Sequence, residues 1–335
     1  MYKTVFSFLL LGVAAVCLFL PDGDKTQYYR NEGLIFGTSY TIQYEATTDW
    51  HDSIRMALAE VDEALSMFNE QSQLARINRN DTVTTNALFE QVYNAAYDVS
   101  ALSHGAFDIT VAPLVNAWGF GFSHRQQMAS ERVDSLLALV GYQTVGLNHH
   151  HIVKSSPEQM LDAGAVAKGF ACDHVARLLH RHEVKNLLVD IGGEVVAKGV
   201  NTQHRAWAIG ITKPIDDVTG KVQDLQDIIH TSDLCMATSG NYRNFYYEGT
   251  ERRSHTIDPR TGYPVRHGLL SATVTASSCM RADALATCCM VLGADSALSL
   301  IETLSDTECY LIEAVPDTDG LQVRTSSGWP TVSEP

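Results

Sequence analysis

The stretch "NLLVDIGGEVV" (residues 186–196) reads as a strand, a tight turn at Gly192-Gly193 and a second strand. Apolar and β-branched residues flank a glycine pair, and glycine accepts the positive φ that a two-residue hairpin turn demands. "AWAIGI" (206–211) reads as another strand, and "LLSATVTAS" (269–277) alternates like a strand with one buried face. Between these lie helical patterns. Ile54, Leu58, Val61, Leu65 and Phe68 recur at the three-to-four spacing of a helix over 51–68 that buries one face. Leu88, Val92, Ala95, Val99 and Leu102 give a second helix stopping near Gly105, and "MRADALATCCMVLG" a third, ending at Gly293. Strands mixed with helices predict the α/β class, with α+β mixed layers. No repeat or long linker divides the chain, so residues 30–330 are expected to form one domain.

The 335 residues are 45% hydrophobic, enough for a sizeable core, and carry a formal charge of −15. That balance excludes the Lys/Arg-rich surfaces that neutralise nucleic-acid backbones. A nucleotide ligand would need local neutralisation, most simply by a bound cation. At the N-terminus Lys3 precedes an apolar run from Val5 to Leu20 and a polar break. Residues 1–22 are therefore expected to be a signal peptide or a short membrane anchor, with acylation at Cys17 as an alternative. The remaining six cysteines sit among apolar neighbours without CxxC or zinc spacing and read mostly as small buried hydrophobes.

In "DAGAVAKGFACD" (162–173), Gly164 and Gly169 stand five apart as in a phosphate loop, but Phe170 follows where that loop needs Lys. The plainer reading is a turn and a helix starting near Val166, with Lys168 and Asp173 as solvated helix charges. Asp283 and Thr287 are four apart, so a helix presents carboxylate and hydroxyl to one point. Oxygen donors of that kind suit Mg²⁺. An Asp near a helix N-terminus, with Thr287 packed inward, accounts for the same spacing. Three further stretches, "GAFDITVAPLVNAWGFG" (105–121), "ATSGNYR" (237–243) and "HTIDPRTGYP" (255–264), read as site-forming loops. The run His149–His151 reads as a solvated surface cluster.

These stretches, together with "FGTSY" (36–40), "MFNEQSQLARIN" (67–78), "LVDIGGE" (188–194) and "RADALAT" (281–287), resemble in order the ApbE family of bacterial envelopes, the FAD:protein FMN transferases. The resemblance implies that FAD is split at its pyrophosphate, AMP leaves, and FMN is joined to a Thr or Ser hydroxyl of an acceptor. The implied acceptor is a membrane redox protein, and the implied location is the periplasmic side of the bacterial inner membrane. It further implies Mg²⁺ held by Asp283, Thr287 and the Ala165 carbonyl. The resemblance also implies FAD contacts at Phe36, Phe68, Ala106, Phe107, Asp108, Asp162, Lys168, His255, Thr256 and Ile257, with His255 and Asp283 as catalytic groups. An Mg²⁺-dependent FAD pyrophosphatase and an exported flavin carrier are the alternatives.

Overall fold

The computed structural model describes residues 25–121, 125–214, 224–241, 245–248, 251–316, 318 and 320–330. The expected N-terminal leader with Cys17 lies outside these, as do Tyr242 and Arg243. Among the described residues no helix is long and apolar enough to cross a membrane.

Strands β1 (Gln27–Ile35) and β2 (Thr38–Ala46) lead. Helices α1 (His51–Leu65), α2 (Gln73–Asn78), α3 (Ala87–Leu102), α4 (Ala112–Ala117) and α5 (Ser130–Leu137) follow. After a small hairpin, β3 (Val145–Asn148) and β4 (His151–Lys154), come α6 (Ala167–Arg181), β5 (Leu187–Ile191) and β6 (Glu194–Lys198). Next are β7 (Trp207–Thr212), β8 (Leu225–Thr231), β9 (Asp233–Gly240), β10 (Phe245–Glu248), β11 (Glu251–Ser254) and β12 (Leu269–Thr275). Helices α7 (Cys279–Leu292) and α8 (Ala294–Ile301) and strands β13 (Glu308–Ala314) and β14 (Leu321–Thr325) complete the order.

The expected hairpin is the centre of the molecule. Gly192 and Gly193 both take positive φ, 67° and 101°, the twist that joins Ile191 to Glu194 across a two-residue turn. Strands β5 and β6 stand third and fourth in an eight-stranded sheet, ordered β1-β2-β5-β6-β9-β12-β13-β14, in which every neighbouring pair is antiparallel. Of the two layer types expected, the mixed α+β arrangement is the one formed. Both faces of β6 are covered: Val196 joins the large core beneath the helices, while Val195 and Ala197 pack under the β7–β8 hairpin with Trp207 and Ile209.

Three sequence expectations are corrected. Helix α1 buries Ile54, Leu58, Val61 and Leu65 but ends there, because Ser66 turns extended, and Phe68 stands outside it, 76% exposed. The buried stripe of α3 is Phe89, Val92, Tyr93, Ala96 and Val99, with Leu88, Ala95 and Leu102 at its margin. Residues 109–117 are not loop: Asp108 caps a 3₁₀ turn that runs into α4, and Pro113 sits in its first turn, where no N–H is needed. The histidine run lies exposed at the β3–β4 turn as expected, His150 against Glu90.

Candidate functional site

A cleft of about 430 Å³ opens where the 162–168 turn, the ends of β9 and α7, the 106–120 segment and the 255–259 loop meet. Each wall is fixed locally. Asn78 clamps Leu161 from both sides, its amide nitrogen donating to Leu161 O at 2.9 Å and its oxygen accepting Leu161 N–H at 2.8 Å. Asp162 then donates its N–H to Ile109 O at 2.7 Å and accepts the Gly164 N–H at 2.7 Å, so the turn is set before α6 begins at Ala167. Burial pushes the Asp162 carboxyl above its ordinary value, the Gly164 hydrogen bond opposing.

Helix α7 is positioned at its first turn. Asp173, from α6, accepts the N–H groups of Cys279 at 3.0 Å and Met280 at 2.9 Å, two donors that have no partner within their own helix. Asp173 is thus buried structure and not a solvated charge. Ser278 caps the same end by accepting Arg281 N–H. Gly169 lets α6 and α7 touch: an added Cβ would lie 2.3 Å from Cys279 O. At that contact Gly169 donates its N–H to Asp283 Oδ2 at 3.0 Å.

Asp283 and Thr287 share one face of α7, as their spacing predicts, and both line the cleft with Ala165. Thr287 Oγ1 lies 3.1 Å from Ser239 Oγ. Ser239 is on strand β9, so "ATSG" is the end of a central strand whose Thr238, Ser239 and Gly240 border the cleft, and not a loop. Among the described residues no three His, Cys, Asp or Glu side chains gather as a metal site. One carboxylate, one hydroxyl and a nearby backbone carbonyl nevertheless suit Mg²⁺, which takes few protein oxygens and completes its shell with phosphate and water. The donor set fits.

Lys168 lines the cleft and donates Nζ to Glu194 Oε1. Burial pushes the Glu194 carboxyl up, and Lys168 opposes this. Asp108 accepts Thr110 N–H, Thr110 Oγ1–H and Tyr142 N–H, so its carboxylate shapes the wall that carries Ala106 and Phe107. His255, Thr256 and Ile257 line the cleft as well. The His255 ring stands edge-on to Phe120, with centroids 6.3 Å apart. Its loop is fastened by Trp118 Nε1–H donating to Gly262 O at 2.8 Å and by the bidentate Arg260–Asp258 pair. Phe68 overhangs the rim, and Phe36 lines a smaller adjoining cavity of about 110 Å³ that shares Phe68 and Lys168. All the expected site residues except Phe36 border the main cleft. A larger cavity of about 640 Å³, behind α6 and lined by Arg177, His180 and Lys198, contains none of them.

Sequence reasoning gave no role to Asn78, Asp173 or Glu194. A signal existed for Glu194, which shares the strand parity of core-facing Val196 and so must point under the helices. The six described cysteines are free thiols, five of them buried, as their apolar surroundings predict.

Solved structures share this architecture. The flavin transferase ApbE from Vibrio cholerae matches with a TM-score of 0.79 at 32% identity, over 91% of this chain and 98% of that one. The flavinyl transferase ApbE from Pseudomonas stutzeri matches with a TM-score of 0.80 at 28% identity, over 90% and 96%. Fold and cleft together define an enzyme of the flavin-transferase class. A Haemophilus influenzae protein named FAD:protein FMN transferase is 34% identical over 97% of this chain and 98% of its own length. Residues 36–311 match the ApbE family, and the chain belongs to that family.

Proposed function

We propose that the protein transfers FMN from FAD to a Thr or Ser hydroxyl of an acceptor protein and releases AMP, with Mg²⁺ as cofactor. The observation that carries this reading is the meeting, in one cleft, of Asp283 and Thr287 from α7 with Ala165 from the turn before α6, Lys168 from the first turn of α6 and His255 from the 255–259 loop. Phe68 and Phe107 offer ring surface to the flavin or adenine. Lys168 brings a fixed positive charge to a protein that is otherwise strongly acidic. His255 takes the proton of the acceptor hydroxyl as its oxygen bonds to the FMN phosphorus, and the bond from that phosphorus to the bridging oxygen breaks to free AMP. Asp283, Thr287 and the Ala165 carbonyl would hold Mg²⁺, which neutralises charge on the phosphoryl oxygens when bound. The apolar N-terminal run supports action outside the cytoplasm, beside a membrane redox acceptor.

The test is incubation with FAD, Mg²⁺ and an acceptor fragment bearing a Thr or Ser site, read by mass spectrometry. FMN-sized addition to the acceptor is expected, and its loss in Asp283→Ala with FAD binding retained. Free FMN and AMP with an unmodified acceptor would assign the cleft to pyrophosphate hydrolysis instead.

A further inference from the structure

Lys168 borders the cleft with Asp283 and bonds Glu194, while the next residue, Gly169, bonds Asp283. Burial works against its charge, but Asp283 and then Glu194 outweigh burial and hold the ammonium above its ordinary pKa. The hydrogen bond itself goes to Glu194. On Asp283 only Oδ2 is engaged, by the Gly169 N–H, and no described residue hydrogen-bonds Oδ1. Two anions therefore compete for one cation, and the outcome decides what Asp283 can do. With the ammonium on Asp283, the carboxylate would be neutralised and the oxygen pair it forms with Thr287 lost to a metal ion.

Glu194 is built to win that competition. It is 2% exposed and cannot follow a moving partner, because β6 is paired on both edges, Ile191 with Glu194 and Val195 with Met236. Its second oxygen, Oε2, is buried without a hydrogen-bond partner. For stability alone that is a poor choice, since an unsatisfied buried carboxylate oxygen is unfavourable and glutamine would accept the same hydrogen bond. What glutamine lacks is an ionisable carboxyl: burial raises that of Glu194 and the bonded Lys168 ammonium opposes the rise, an ion pairing that an amide cannot offer against Asp283.

We propose that Glu194 is a positioning residue that holds the Lys168 ammonium away from Asp283, keeping the Asp283 carboxylate open to a divalent cation while leaving the Lys168 charge in the cleft. This rests on reading the cleft as a Mg²⁺-assisted flavin-transfer site.

The experiment is calorimetric titration of Mg²⁺ into the full chain without FAD, for the parent, Glu194→Gln, Lys168→Met and the double variant. Glu194→Gln should weaken Mg²⁺ binding by roughly 10-fold or more, the scale seen when groups behind metal ligands are lost. Removing Lys168 as well should restore affinity to within a few-fold of the parent, a non-additivity that a merely structural role would not produce. Parent-like affinity in Glu194→Gln overturns the inference, and so does a double variant as weak as Glu194→Gln. Should Glu194→Gln fail to fold, Lys168→Met and the double variant decide: equal affinities are expected, and a much weaker double variant overturns it. A parent that binds no Mg²⁺ sinks the metal reading together with this inference, whereas a binding parent and an unchanged Glu194→Gln sink the inference alone.

Discussion

The Gly169 N–H donates to Asp283 Oδ2 at 3.0 Å, joining α6 to α7 where both enter the cleft. The bond exists because residue 169 has no side chain. A Cβ there would sit 2.3 Å from Cys279 O and 2.8 Å from Asp283 Cβ. One missing methyl therefore sets both the spacing of the two helices and the orientation of the carboxylate.

Gly169→Ala should destabilise the protein. Alanine gains about 1 kcal/mol in helix propensity, but overpacking against a backbone carbonyl that cannot rotate away costs about 1–3 kcal/mol. The steric term wins, and Asp283 is displaced with α7. Urea unfolding and Mg²⁺-dependent transfer should both decline. A variant at least as stable as the parent, with full transfer, would show that the helices part freely.

His255→Ala should bind FAD nearly as the parent does and lose about 10²–10⁴ in transfer rate, the range for removing a general base. Transfer at saturating FAD and Mg²⁺ across a pH series is the measurement. Rates within a few-fold of the parent at every pH would assign His255 to the loop's architecture.

Phe68→Ala separates binding from folding. The ring is 76% exposed, so its removal should leave the thermal midpoint unchanged. Ring stacking of about 0.5–1.5 kcal/mol corresponds to about a 2- to 12-fold loss in FAD affinity. Unchanged FAD affinity by calorimetry would remove Phe68 from the ligand's path.

Stability should fall as pH rises from the ordinary aspartate range through the raised carboxyls of four aspartates. Burial raises the carboxyls of Asp108, Asp162, Asp173 and Asp190 above the ordinary aspartate value. The folded chain thus keeps protons that the unfolded chain has released, and each such group loses stability as pH climbs from the unfolded value through the raised one. The acids with lowered values, Glu32, Glu45, Asp49, Glu90 and Glu302, act below that window and do not offset it. Urea midpoints across that pH range measure the slope, which Asp162→Asn should reduce. A midpoint that rises with pH would contradict the assignment.

The parts of the fold legible in sequence were those that local chemistry specifies. A glycine pair between β-branched runs can form little else but a hairpin, and α1 shows its buried face as a plain period. Strand β9 was not legible, because "ATSG" is small and polar, and it becomes a strand only by pairing with β6 and β12 from distant parts of the chain. Within the cleft, Asp283 and Thr287 announce themselves by helical spacing. Asp173 and Glu194 do not, since a charge in a helix or beside a turn looks solvated until another element covers it.

The place of the central hairpin in the sheet also governs how the chain is assembled. Strand β2 pairs with β5, Tyr44 opposite Leu187, and the helices α1 to α6 lie between them in sequence. Closing a loop of about 140 residues costs about 4 kcal/mol of chain entropy before any contact repays it. Strands β12 and β13, with Thr275 opposite Glu308 around α7 and α8, close a loop of about 33 residues for about 3 kcal/mol. The C-terminal half is therefore expected to order first, carrying Asp283 and Thr287 on a helix already docked to its sheet. The β1–β2 ribbon joins last, so folding is slow for reasons of topology and the open sheet edge awaits a partner from the same chain.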